Sequence, residues 1–313
     1  MNAIARVRGC RRATAGLAFL LVACGADFDP PSRVTGLRVL AVRADEPYAP
    51  PASTVHLQAL AVDPAGRALE WGWGTCVDPD SSDVVDCIDG ADWPGFTISA
   101  DSPTHAVAIP ADAIDRLPAA ARARASVGVI TVVCPGDLSL VSPPASVRAT
   151  GALPFVCRDH DTGRVLQQDE YQAGVKRIFV RTSDRNANPV IANVTWDGQA
   201  WPETTVRDVE PCATDGNSLS VCDAVLHEVG AIAAPSSAES GVDSFGARFD
   251  EQVIVQYYAT EGIFADSVRI ASDPVTKWAA REQSGGRTVT MWMVLRDDRG
   301  GVDWTRRTVN VAQ

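Results

Sequence analysis

Lysine is almost missing from this chain of 313 residues, and no long apolar run follows its first two dozen residues. The two lysines, Lys176 and Lys277, lie outside glycine-rich loops, so the sequence contains no phosphate-binding P-loop. Basic residues number 28 against 39 acidic ones, which gives a net charge of −11 and a pI of about 4.8. This charge excludes a nucleic acid as the partner, and the missing apolar runs exclude a protein with several membrane spans.

Signatures of catalysis are missing as well. His227-Glu228 begins like the HExxH motif of zinc proteases, but Ala231 stands where the second histidine is needed. The segment 216–220 has the serine of a GxSxG nucleophile elbow without its last glycine. We therefore predict a protein that is not an enzyme and has no cofactor.

Amphipathic helical stretches of 10–15 residues do not separate the strand patterns, which disfavours a parallel α/β fold. Hydrophobic residues make up 46% of the chain, which is too many for a disordered protein. The sequence instead contains short segments with period-two alternation, separated by turns rich in Pro, Gly and Asp. This pattern predicts an all-β fold.

The N-terminus has the composition of an export signal. Four arginines and no acidic residue accompany an apolar stretch, residues 13–23, that is too short to cross a bilayer. The stretch ends in Leu21-Val22-Ala23-Cys24, which resembles the lipobox of bacterial lipoproteins. The resemblance implies that the Cys24 thiol becomes a thioether to diacylglycerol and that cleavage occurs before this residue.

A lipid-anchored protein of the bacterial cell envelope is the expectation that follows. The predicted signal peptide is 1–23 and the predicted lipidated tether is 24–33, a short spacer between the membrane and the body. Several buried acyl chains make a firm anchor, so the membrane is a partner through the lipid. Gly25, rather than Asp, follows the cysteine, which implies sorting to the outer membrane of a Gram-negative cell.

Six cysteines follow Cys24, and an even number outside the cytoplasm indicates disulfides. No CxxC pair occurs among them, so a structural zinc site is disfavoured. Of the many possible connectivities, the favoured one closes three short local loops. Its pairs are Cys76–Cys87, Cys134–Cys157 and Cys212–Cys222.

The body begins with alternating segments at 36–43 and 55–61, the first with Leu37, Val39 and Ala41 on one face. The turn 63–66 has the Pro and Gly that its geometry needs, and Leu69, Trp71 and Trp73 alternate after it. This pattern predicts a hairpin that places aromatic residues on one face.

The segment VHLQALAVDPAGRALEWGW resembles bacterial immunoglobulin-like repeats, including the polycystic-kidney-disease type. In those repeats a strand ends in Asp-x-x-Gly and the next strand carries a core Trp. The resemblance implies an immunoglobulin-like antiparallel β-sandwich, which we place at 34–182.

A second module of the same kind is predicted at 189–313, after the polar, turn-like segment 183–188. Asp197-Gly198 is a strong hairpin signal near its start. Its last third, YYATEGIFADSVRIASDPVTKWAA followed by RTVTMWMVLRDDRGGVDWTRRTVNV, resembles the second half of an immunoglobulin-like repeat. It has a strand into a Gly-Ile-Phe turn, a Trp strand and a hairpin through Asp-Asp-Arg-Gly-Gly.

One acidic segment has oxygen-bearing side chains at the spacing of an EF-hand calcium loop. The residues are Asp78, Asp80, Ser82, Asp86 and Asp89. Asp83 stands in the place of the turn glycine, and Asp89 replaces the bidentate glutamate. The favoured interpretation is a solvated acidic loop pinned by a disulfide, and the alternative is a weak Ca²⁺ site with an affinity of about 10⁻⁴–10⁻³ M.

Eight tryptophans are the remaining candidates for binding. Trp71 and Trp73 share a strand face, which predicts core positions. Trp292 alternates out of phase with Met291 and Met293, which predicts the solvent face, whereas Trp304 can face either way. A row of exposed aromatic rings would suit a glycan or a peptide.

The predicted function is therefore that of a non-catalytic cell-envelope lipoprotein. It would display two immunoglobulin-like modules for interaction with an envelope protein or a surface. The first alternative is a carbohydrate-binding envelope lipoprotein that uses exposed Trp292 and Trp304. The second alternative is a hydrolase with a site on the loops of the sandwiches.

Overall fold

The computed structural model describes residues 30–77, 84–89, 91–100, 102–141, 147–151, 153–213, 218–222, 225–243 and 246–313. The predicted signal peptide and Cys24 lie outside these ranges. Strands account for 50% of the structure and helices for 8%, which confirms the all-β prediction. Within the described ranges, no helix has the length and apolar character needed to cross a bilayer.

The first sandwich packs a three-stranded sheet, β1-β3-β6, against a five-stranded sheet, β2-β10-β7-β4-β5. A separate pair, β8-β9, lies in the connection between β7 and β10. The strands are β1 Arg38–Ala44, β2 Tyr48–Ala49, β3 Thr54–Val62, β4 Glu70–Val77, β5 Thr97–Ala100, β6 Thr104–Ala108, β7 Ser126–Cys134, β8 Asp137–Leu140, β9 Phe155–Arg158 and β10 Gln172–Val180. The helices are α1 Val84–Asp89 and α2 Val147–Thr150, with 3-10 turns at Trp93–Gly95 and Ala119–Arg124.

The second sandwich packs the sheet β12-β11-β14-β20-β18 against the sheet β13-β22-β21-β17-β19, with β15-β16 as a separate hairpin. Its strands are β11 Ile191–Trp196, β12 Gln199–Ala200, β13 Val206–Val209, β14 His227–Ala233, β15 Ser240–Val242, β16 Arg248–Asp250, β17 Val253–Ala259, β18 Ile263–Phe264, β19 Val268–Ile270, β20 Val275–Ala279, β21 Thr288–Asp297 and β22 Val302–Val311. Two 3-10 turns lie at Pro235–Ser237 and Glu282–Ser284.

Both sandwiches follow one strand order. In the first sandwich, β1, β3 and β6 form one sheet. In the second, β11, β14 and β20 occupy the same places, with the short strands β12 and β18 added at the two edges. In each, a short strand pairs in parallel with the last strand of the facing sheet, β2 with β10 and β13 with β22. This is the A-B-E and A′-G-F-C arrangement of immunoglobulin-like sandwiches.

Alternating apolar side chains fill the space between the facing sheets. Trp71 and Trp73 of β4 point inward in the first sandwich and stack with ring centroids 6.0 Å apart. Met291, Met293 and Leu295 of β21 point into the core of the second sandwich. Each such buried side chain contributes about 1.5–3 kcal/mol to folding.

The hairpin predicted around residues 63–66 is wrong. The turn itself forms, because Gly66 takes a φ of 67° and its N–H donates to the Asp63 carbonyl at 2.9 Å. The strands on its two sides, β3 and β4, then enter opposite sheets. They can do so because both place their apolar residues in the shared core from opposite sides.

The alternation predicted for β1 is correct only as far as Val39. The register with β3 slips between Val39 and Ala41, so that Leu40 is the extra residue of a β-bulge. Val42 and Ala44 then join the core, while Leu40 and Ala41 both face outward. The bulge therefore turns two buried apolar residues toward the second sandwich.

The three disulfides join the predicted pairs, Cys76–Cys87, Cys134–Cys157 and Cys212–Cys222. Each staples a connection outside the common strand plan, and none links the two facing sheets. Closing loops of this length contributes about 3 kcal/mol each. Gly128 of β7 lies against the sulfurs of Cys76 and Cys87, where any side chain would collide.

The end of the predicted tether is part of the folded body. The N–H of Val34 donates to the Ala259 carbonyl at 2.8 Å, and the N–H of Ala259 donates to the Ser32 carbonyl at 2.9 Å. Ser32, Arg33 and Val34 are buried. The last two residues of the predicted tether, Ser32 and Arg33, therefore pair with the end of β17.

Candidate functional site: the groove between the sandwiches

The two sandwiches meet face to face. The outer face of β21 and β22 carries Trp292, Val294 and Val302, and these pack against Leu40 and Ala41 of the first sandwich. Val294 is fully buried and Trp292 is 7% exposed. The bulge in β1 supplies the apolar surface that covers this sheet.

Polar groups fix the orientation of the junction. The Asn188 side chain donates to the Ala44 carbonyl at 2.7 Å and accepts from the Val302 N–H at 2.9 Å. Arg43 of β1 forms an ion pair with Asp303 of β22 at 3.2 Å. The linker between the sandwiches is therefore tied to both of them.

An open groove of about 540 Å³ runs along one side of this junction. We call it the junction groove. Trp304 is half-buried in it, and the Arg43 guanidinium lies over its ring at 4.8 Å from the centroid. The lining residues are Leu60, Ala61, Val62, Asp63, Glu203, Trp292, Trp304, Thr305 and Arg306.

Charged side chains stand at the rim of the junction groove. Glu203 and Arg306 face each other at 3.6 Å, with side chains 62% and 70% exposed, so both remain available to a ligand. Burial raises the pKa of Asp63, but hydrogen bonds from the Arg67 side chain and the Ala65 N–H outweigh it and hold this pKa below its usual value. The groove thus combines an aromatic and aliphatic floor with fixed charges of both signs.

The prediction that Trp292 faces solvent is wrong. The side chain does lie on the outer sheet face, opposite Met291 and Met293, but the first sandwich covers that face. Trp304 is on the same face, where it also lines the groove and is less buried than Trp292. Sequence reasoning missed Arg43 and Glu203, since each reaches the groove from a distant segment and no local motif marks it.

Two histidine–aspartate pairs are the closest approach to catalytic geometry in the described part of the chain. His160 Nδ1 lies 3.0 Å from Asp137, at a cavity of about 310 Å³, and His227 Nδ1 lies 2.8 Å from Asp197. The hydrogen bond that the His160 ring donates to the Asp137 carboxylate raises the pKa of His160. Among the described residues that line this cavity there is no serine, threonine or cysteine to act as a nucleophile.

The calcium prediction falls mostly outside the described residues. Asp78, Asp80 and Ser82 are not among them, nor is the side chain of Asp86, while Asp89 is exposed at the end of α1. In the described ranges, no group of three or more His, Cys, Asp or Glu residues is placed to hold a metal ion. The weak Ca²⁺ site stays a prediction.

Comparison with known proteins gives neither a family nor a function. No family model and no curated protein matches the chain. Among solved structures, red sea bream transglutaminase is 10% identical over 90% of this chain and 32% of its own, with a TM-score of 0.23.

Two further structures give similar values. Apo β-glucuronidase 3 of Bacteroides uniformis is 8% identical over 86% of this chain and 24% of its own, with a TM-score of 0.20. The two tandem V-type regions of the v-region-containing chitin-binding protein VCBP3 are 9% identical over 88% of this chain and 100% of theirs, with a TM-score of 0.25. At these TM-scores, the description of the fold rests on the strand pairing alone.

Proposed function

We propose that this protein is a non-catalytic, lipid-anchored interaction protein of the bacterial cell envelope. The observation that carries the proposal is the fixed junction, in which two immunoglobulin-like sandwiches share one buried interface and together line an open groove. A surface built from both sandwiches presents one preset shape, which lowers the entropic cost of binding a partner. The disulfides are consistent with a location outside the cytoplasm.

The anchor is tested by replacing its attachment residue. Cells that express the chain are labelled with a radioactive fatty acid, and we expect label on the wild-type protein but not on Cys24→Ser. The variant should also leave the membrane fraction. A wild-type protein without label contradicts the lipid anchor.

The groove is tested by photo-crosslinking in cells. A photoreactive amino acid at Thr305, inside the junction groove, should give a discrete adduct with an envelope partner. The same probe at Ile270, an exposed position on β19, is the matched control. Adducts of equal yield at both positions, or none at Thr305, contradict the groove as the docking surface.

A glycan is the second candidate occupant, because Trp304 and the exposed carboxylate of Glu203 line the same groove. Aromatic rings beside acidic groups suit the apolar faces and hydroxyls of a sugar. Titration with soluble peptidoglycan fragments should quench Trp fluorescence in the wild type and not in Trp304→Ala. Unchanged fluorescence in the wild type removes this candidate.

A further inference from the structure

The first sandwich is open along one flank, between the edges of β1 and β10. Among the described strands, β1 pairs with β3 alone, and β10 gains a second neighbour, β2, at Phe179 and Val180 alone. The segment of β10 before Phe179 therefore leaves a cleft of about 230 Å³, which we call the flank cleft. Arg296 of the second sandwich lies at its third side.

Two polar side chains point into this cleft from positions that are normally apolar. Lys176 and Thr131 have the same strand phase as the core residues Ile178 and Val129, so they face the space between the sheets. Thr131 is 2% exposed, and its hydroxyl has no hydrogen-bond partner in the described structure. A buried hydroxyl without a partner is destabilising, and a hydrogen-bonding ligand in the cleft would satisfy it.

Thr131 lines the cleft, and open space lies across the strand pair from it. Gly174 is the residue of β10 opposite Thr131, and a Cβ at this position would meet no atom within 4 Å. The strand therefore leaves open room where a side chain would otherwise fill the flank of the core.

The charges in the cleft are both positive. Lys176 donates to the carbonyl of Gly300, and Arg296 donates to the carbonyl of Leu40 and, at 2.8 Å, to Gln256. Neither cation forms an ion pair with a carboxylate among the described residues. Two partly desolvated cations that form no ion pair are costly, and an anion between them would recover part of that cost.

The pKa of each cation agrees with this geometry. Burial and, to a smaller extent, the charge of Arg296 lower the pKa of Lys176 to about 8, against the opposing charge of Asp297. Burial also lowers the pKa of Arg296. With a pKa of about 8, the Lys176 amine is still mostly protonated at neutral pH.

We propose that the flank cleft is a binding site for an oxyanion group, a phosphate or a carboxylate. Lys176 and Arg296 neutralise its charge, and the Thr131 hydroxyl donates a hydrogen bond to one of its oxygens. The bound group would bridge the two sandwiches, because its ligands come from both. This site is separate from the junction groove and does not depend on the function proposed for it.

The first test uses the complete chain in detergent at constant ionic strength. Inorganic phosphate and acetate, each against chloride, should raise the thermal midpoint in a concentration-dependent way, and the stronger of the two identifies the class of ligand. Lys176→Met and Arg296→Met should each weaken binding at least 10-fold. Arg287→Met, which removes an exposed cation at the opposite end of β21 from Arg296, should bind as the wild type does.

Thr131→Val keeps the shape of the side chain and should weaken binding several-fold without unfolding the protein. It therefore tests the site even if the Lys176 variant does not fold. A midpoint that responds equally to chloride, phosphate and acetate overturns the proposal. The proposal is also overturned if the wild type binds phosphate and acetate no more tightly than all three variants, Thr131→Val, Lys176→Met and Arg296→Met.

A second readout uses the scarcity of lysine. Reductive ¹³C-methylation gives two lysine side-chain signals, one from Lys176 and one from exposed Lys277. Phosphate or acetate should shift the Lys176 signal and leave the Lys277 signal in place. Equal shifts of both signals, or no shift of the Lys176 signal with either anion, contradict the proposed site.

Discussion

The two sandwiches share a strand order but differ in what covers the outer face of one sheet, which contains β7 and β10 in the first sandwich and β21 and β22 in the second. In the first sandwich, the connection between β7 and β10 folds back over that face. Leu138, Phe155 and Leu166 pack there against Ile130 and Val132 of β7. In the second sandwich the equivalent strands, β21 and β22, are joined by a short turn, and the first sandwich covers the face instead.

This difference shows that one sheet face can be buried by two routes. The first sandwich carries its own cover, stapled to β7 by the Cys134–Cys157 disulfide. The second sandwich borrows its cover from the neighbour, through the bulge at Leu40. Without the second sandwich, the first keeps the cover of its five-stranded sheet and exposes only Leu40 and Ala41 of this contact, whereas the second exposes Trp292 and Val294 without the first.

The largest effect is expected from a variant that disrupts the contact by which the first sandwich covers the second. Val294→Asp buries a carboxylate against Leu40 and Trp292, and we expect a loss of about 4 kcal/mol in the free energy of unfolding. Chemical denaturation followed by Trp fluorescence measures it. Val268→Asp, at a valine of β19 that is 51% exposed, is the control and should cost less than about 0.5 kcal/mol. Equal stability of the two variants would show that the face is not covered in solution.

The next largest effect on stability is expected in the β7–β10 connection, which covers the outer face of the first sandwich. Replacing Cys134 and Cys157 by Ala should cost about 3 kcal/mol from loop entropy and should also loosen the layer over Ile130. Binding of a hydrophobic dye should therefore increase. The matched variant, Cys212→Ala with Cys222→Ala, should lose similar stability with a smaller dye signal. A dye signal that is the same in both variants contradicts the role of the first disulfide in holding the cover.

A smaller effect measures the polar rim of the interface. Arg43→Met removes the ion pair with Asp303 and the contact with the Trp304 ring, and we expect a loss of about 1 kcal/mol. A double-mutant cycle with Asp303→Asn isolates the pair. Arg306→Met should be neutral. A coupling energy of zero would assign the orientation of the sandwiches to the apolar contacts and Asn188 alone.

The smallest effects are on the pH dependence of the first sandwich. Asp137 raises the pKa of His160, so this contribution to stability is present below the unfolded pKa and is lost as pH rises through the folded value. Burial lowers the pKa of His105, which stacks on Trp73 at 5.3 Å, so stability falls as pH drops below the usual histidine pKa.

NMR titration of the imidazole protons measures both histidines. Asp137→Asn should return the pKa of His160 toward its usual value and leave that of His105 unchanged. If both histidines titrate together, the separation of cover and core in the first sandwich is wrong.

Local chemistry is the part of this fold that sequence analysis can predict. Period-two alternation located most strands, and short loop length predicted the three disulfide pairs. Turn chemistry at Asp197-Gly198 predicted the hairpin between β11 and β12, where both residues take positive φ values.

Long-range pairing is the part it cannot predict. The turn at residues 63–66 gives no sign that β3 and β4 separate into different sheets, and alternation cannot reveal the bulge at Leu40. Trp292 has the phase of an exposed residue in its strand. The residues that bury it, Leu40 and Ala41, lie some 250 positions earlier in the chain, so the local pattern does not reveal them. For the flank cleft there was a local signal, because Lys176 has the phase of Ile178 and Val180 in its strand.

The pairing of Ser32 and Val34 with Ala259 determines how mechanical load would enter the molecule. With Cys24 lipidated as proposed, at most about 30 Å of extended chain separates the lipid from the first of these hydrogen bonds. Tension from a partner in the groove would reach the membrane through β17 of the second sandwich. This holds although the anchored segment directly precedes the first sandwich along the chain. The strands of the first sandwich would then lie off the line of force until the bonds to Ala259 break.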